Sequence, residues 1–129
     1  MRLQLTLPTV EQMILAGITD FEEDDDLQYF LGESDCCHAL EILNMEYTGG
    51  TIILNEGFDI QFATDEIDEY MAYIEDDTLT APLYYQELLD YNDGWLGDDT
   101  CYDYAGSFVY AILEVVNWCL EQGSYIEIN

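Results

Sequence analysis

The sequence predicts an α+β fold in a single domain over residues 1–129, a small antiparallel sheet with helices packed on it and an apolar C-terminal helix at its centre. Three observations carry this. Short runs near both termini and around residue 52 read as strands, the stretches between them carry apolar residues at helical spacing, and a 129-residue chain that is 50% hydrophobic can bury one core.

Leu3, Leu5 and Leu7 alternate with Gln4 and Thr6 and form a first strand, which Pro8 ends. Thr9 then caps a short helix through Ala16, and Gly17 stops it. Residues 20–26, DFEEDDD, are expected to be a loop or helix start. Asp35 can cap a helix through Leu43 that carries Ala39, Leu40, Ile42 and Leu43 inward. The TGG at 48–50 breaks it to a hairpin, expected to pair Thr51–Leu54 with Phe58–Phe62 across the Asn-Glu-Gly turn, with Phe58, Ile60 and Phe62 inward. Thr64 is the expected cap of the next helix. There Ile67, Tyr70, Met71 and Ile74 recur at i, i+3, i+4 and i+7, leaving Asp65, Glu66, Asp68 and Glu69 on the other faces. Pro82 opens a further helix, held to the core by Leu83, Leu88 and Leu89 and ending near Asn92–Gly94. After the loop GWLGDDT, a continuous stripe from Ala105 through Phe108, Val109, Ile112, Leu113, Val116 and Cys119 to Leu120 marks the central helix. Gly123 ends it, and Tyr125–Ile128 returns as an edge strand.

The charge is as informative as the apolar pattern. Against 29 Asp and Glu there is one Arg, Arg2, and no Lys, for a net charge of −28. Nucleic-acid binding needs cations against phosphates, and phosphoryl transfer needs a cation or a glycine-rich cradle, so both classes are excluded. The same field repels anionic lipid, and no apolar run approaches the ~20 residues that span a bilayer. The N-terminal MRLQLTLPTVEQM lacks the apolar core of a signal peptide, so a cytoplasmic address is expected.

No cofactor or metal is expected. The four cysteines include no C-x-x-C pair, which leaves Cys36, Cys37 and Cys101 as plain thiols and Cys119 as a core residue, and His38 reads as an ordinary surface or helix-edge histidine. A calcium loop counted from Asp90 puts Trp95 where glycine is required and Cys101 where glutamate is required. Carboxylate-pair hydrolysis needs an acid perturbed by an apolar pocket. Glu114 is the acid set in the most apolar stretch, and it has no His, Lys or Arg beside it, so it reads as a solvent-edge residue and the chain as no enzyme. Adaptation to high salt fits poorly with 11 Tyr and a single Arg.

The remaining reading is that the charge is itself the ligand. B-DNA presents roughly one negative charge per 110 Å² of its cylinder, while about 7,000 Å² of protein surface shared evenly gives each acid about 240 Å². Clustering closes that gap: Glu22, Glu23, Asp24, Asp25 and Asp26 form one group, Asp65, Glu66, Asp68, Glu69, Glu75, Asp76 and Asp77 a second, and Asp90, Asp93, Asp98 and Asp99 a third. These sixteen are the candidate phosphate mimics. They would seat in the groove of a basic DNA-binding protein and compete with DNA there. The alternative is an immunity or adaptor protein that neutralises a basic partner without copying DNA, using exposed aromatics such as Tyr84, Tyr85 or Trp95.

The segments DEIDEYMAYIEDD from Asp65, PLYYQELLDY from Pro82 and DYAGSF from Asp103 resemble the later part of ArdA-type antirestriction proteins, over about residues 64–108. That resemblance implies a DNA mimic that occupies the DNA groove of type I restriction enzymes, as an elongated dimer. Small acidic phage inhibitors of CRISPR effectors share the composition, so the expected partner is a restriction enzyme, a CRISPR effector or another DNA-processing protein of the host.

Overall fold

A computed structural model of the chain describes residues 2–19, 21, 29, 31, 34–91 and 106–128, with the backbone alone at 34–37 and 91. It is an α+β structure in which four antiparallel strands, in the order β2-β3-β1-β4, carry a layer of helices. In chain order the elements are β1 (Arg2–Leu5), α1 (Val10–Leu15), α2 (Ser34–Ile42), β2 (Met45–Thr48), β3 (Thr51–Leu54), α3 (Ile60–Glu75), α4 (Leu83–Tyr91), α5 (Phe108–Gln122) and β4 (Tyr125–Ile128).

The first turns follow the sequence signals closely. Thr9 and Gln12 form a reciprocal capping box on α1, the Thr9 hydroxyl accepting from the Gln12 N–H at 3.2 Å and the Gln12 side chain accepting from the Thr9 N–H at 2.9 Å. α5 ends at Gly123, whose left-handed φ of 70° lets its N–H return to the Cys119 and Leu120 carbonyls. Ser124 then bonds to Thr6 through both backbone and side chain, which directs β4 onto the free side of β1.

Three expectations are corrected. The partner of Thr51–Leu54 is β2, joined through Gly49 and Gly50 at φ 61° and 80°, the positive pair that a two-residue hairpin turn requires. Phe58–Phe62 is not a strand. Its Asp59 accepts from the Gln61 and Phe62 N–H groups and starts α3 there, so Thr64 lies inside the helix rather than capping it. Likewise Asp35 falls within α2, which is already under way at Ser34.

Leu5, Met45, Ile52 and Leu54 from one face of the sheet join a core to which α5 contributes most, with Val109, Ala111, Ile112, Leu113, Val115, Val116 and Cys119 all buried. α5 packs on α2 and α3, and α4 packs on the same two helices. The α3–α4 seam is aromatic: Tyr70 meets Tyr84 edge-on at 5.3 Å, and Tyr73 meets Tyr85 at 4.7 Å between ring centres. Tyr84 is 1% exposed while Leu83 is 52% exposed. The inward position expected of Leu83 therefore belongs to Tyr84, and Tyr84 cannot serve as the exposed aromatic of an immunity-type surface. Tyr85 is half-buried, and Trp95 lies outside the described residues.

A candidate anionic interface on helix α3

The described members of the acidic set, Asp90 on α4 excepted, lie on α3 and the turn after it. At 100° per residue, Asp65, Asp68, Glu69 and Glu75 fall within an arc of about 120°, opposite the buried Ala63, Ile67 and Tyr70. All four acids are exposed, as are Asp76, Asp77 and, on α4, Asp90. Glu22, Glu23, Asp24, Asp25 and Asp26, with Asp93, Asp98 and Asp99, lie outside the described residues, as do the GWLGDDT loop and the Cys101–Ala105 segment.

From Asp65 to Glu75 the helix rises about 15 Å, a length over which one strand of B-DNA carries about four phosphates. Four exposed acids occupy it, Asp65, Asp68, Glu69 and Glu75, and Asp76 follows at the C-cap. The count equals that of a single strand, half that of the duplex. The acids come as two groups, Asp65 to Glu69 and Glu75 to Asp77, with a gap of about 9 Å along the axis.

Some of these carboxylates are held in place. The Gln61 side chain donates to Asp65 at 3.0 Å, and one oxygen of Asp76 accepts from both the N–H and the hydroxyl of Thr78, at 3.1 and 2.6 Å. Those two bonds lower the Asp76 carboxyl below its ordinary value and keep it ionised. On the sheet, Arg2 reaches Glu46 at 3.2 Å. The chain's one strong cation is thus engaged away from α3.

Glu66 departs from its expected place. It is only 8% exposed, because it lies three residues after Ala63 and four before Tyr70, within the apolar stripe rather than outside it. Burial pushes its carboxyl above the usual range, against the pull of a hydrogen bond from the Tyr84 backbone N–H. Glu69, Glu87 and Asp65 raise it further by repulsion. Its Oε2 has no hydrogen-bond partner among the described residues. Glu66 also lines a cleft of about 430 Å³ between α2, α3 and α4, with Glu41, Phe62, Leu83, Tyr84 and Glu87 among its walls.

The other polar candidates offer less. Glu114 is exposed, His38 is half-buried, and Cys119 is buried with its thiol pushed up to about 11, too high to act as a nucleophile near neutral pH. Among the described residues no group of three or more His, Cys, Asp or Glu is arranged to hold a metal ion, and no helix is long and apolar enough to cross a membrane. Comparisons with protein-family models, with curated proteins and with solved structures give no match, so a functional reading rests on this chain's own residues.

Proposed function

We propose that the protein is a DNA-mimic inhibitor that occupies the DNA-binding groove of a basic DNA-processing protein of the host, a restriction enzyme or a CRISPR effector, without catalysis of its own. The observation that carries the reading is the exposed arc of α3, where acids match one DNA strand in number per unit length and no cation intervenes. The whole surface, 7191 Å² shared among 29 acids, gives about 250 Å² each, so a DNA-like charge density requires local grouping of the kind seen on α3. The resemblance to ArdA-type proteins points the same way and favours a type I restriction enzyme and an elongated dimer. A cytoplasmic site of action belongs to the same proposal.

The test is inhibition of DNA cleavage by a type I restriction enzyme and by a DNA-targeting CRISPR effector. Inhibition should be relieved by excess DNA and weaken steeply between about 50 and 500 mM salt. Inhibition unchanged by about a hundredfold more DNA would refute competition for the groove.

A further inference from the structure

We infer that the cleft between α2, α3 and α4 is a socket for one arginine side chain of the basic protein partner, with Glu66 as its buried acceptor. The inference rests on the proposed function in one respect, that the natural partner is basic, and it adds a localised anchor to an otherwise distributed surface.

Two independent observations meet here. The cleft, about 430 Å³, is large enough for a side chain and carries three carboxylates, Glu41, Glu66 and Glu87. Glu66 is more than nine-tenths buried, yet its Oε2 lacks a hydrogen-bond partner among the described residues. An ionised or protonated carboxyl in that position leaves bonding capacity unused at a cost, unless a donor arrives from outside. The chain cannot supply a strong cation itself, since it has no Lys and Arg2 bonds to Glu46 on the sheet.

The walls discriminate among donors. Phe62 and Leu83, 49% and 52% exposed, stand at the cleft with Tyr84 and Ile42, so an entering group must present apolar as well as cationic surface. A metal ion does not satisfy that, and the described acids are not arranged to hold one. A guanidinium does: it is planar, weakly hydrated, stacks on aromatic faces and offers several donors to two carboxylates at once, while its methylene stem lies on apolar walls. Lysine, a compact and strongly hydrated point charge, fits less well.

The experiment titrates the ¹⁵N-labelled protein with N-acetyl-arginine methylamide and, in parallel, with the uncharged citrulline and the lysine analogues. Saturable shifts are expected at the Tyr84, Leu83 and Asn44 amides, at least about fivefold tighter for arginine than for citrulline and tighter than for lysine. Glu66→Gln should abolish them and Glu87→Gln weaken them, with circular dichroism and melting confirming the fold; Glu87 is exposed, so its variant tests the socket even if position 66 does not tolerate change. Diffuse shifts over all acidic surfaces, equal binding of lysine, or shifts that survive both substitutions would overturn the socket. Its failure is separable from that of the mimic reading. If only the socket is wrong, Glu66→Gln inhibits DNA cleavage as well as the parent; if the mimic reading is wrong, the parent does not compete with DNA whatever the arginine probe does.

Discussion

Replacing Asp65, Asp68 and Glu69 together by Asn, Asn and Gln should move affinity and stability in opposite directions. Asp65 is three residues from Asp68 and four from Glu69, so α3 carries two like-charge neighbour pairs on its exposed face. Each such pair costs about 0.2–0.5 kcal/mol at low ionic strength, and relieving both gains about 0.4–1 kcal/mol. For a domain of this size that is a rise of roughly 2–5 °C in melting temperature. Against the partner, three exposed charge pairs worth ~0.2–1 kcal/mol each are lost, which weakens binding roughly threefold to 150-fold. The assay pairs calorimetry at low salt with a binding titration against the inhibited enzyme. A variant that melts lower and binds unchanged would show that these acids serve the fold, and the assignment of α3 as the interface would be wrong.

Other expectations follow from individual groups. Burial and neighbouring acids raise the Glu66 carboxyl in the folded state, so its contribution to stability is full below the ordinary glutamate range and is lost as pH climbs through the raised value; Glu66→Gln should melt with a flatter pH dependence over that window, and an identical profile would contradict the burial. With 29 acids and one Arg, melting at about pH 8 should rise on going from about 20 to 500 mM salt, and salt-insensitive calorimetry would mean acids too far apart to repel or to imitate DNA. Cys119, buried with its thiol raised to about 11, should resist alkylation at about pH 8 until denaturant is added, as peptide mapping by mass spectrometry would reveal; rapid labelling of the native protein would contradict its place in the core. At Gly50 an added Cβ meets nothing but φ is 80°, so Gly50→Ala should cost about 1–2 kcal/mol through backbone strain alone, and a neutral effect on thermal melting would argue against the two-glycine turn.

Where one physical signal dominated, the fold was legible from residues alone. α5 was readable because its apolar stripe runs unbroken from Val109 to Cys119, and α1 because Thr9 and Gly17 punctuate it at its two ends. Phe58–Phe62 misled because a short alternation of apolar residues is compatible with a strand or with a helix entrance. Asp59, as a cap aimed at Gln61 and Phe62, decides for the helix. That error hid a second one. With α3 started at Thr64, the stripe begins at Ile67; started at Ile60, it includes Ala63, and Glu66 falls inside it. The same arithmetic separates Leu83 from Tyr84, since Tyr84 and Leu88 are four apart on one face whereas Leu83 and Leu88 are five apart. The cleft beside Glu66 was not legible at all, because it is made where three helices distant in sequence converge.

Whether protein and DNA occupy the same groove is decided by native mass spectrometry of the inhibited enzyme mixed with both. Two binary complexes are expected, enzyme with DNA and enzyme with this protein, in proportions that follow the ratio of the competitors. A ternary complex that contains enzyme, duplex and protein together would contradict a shared groove.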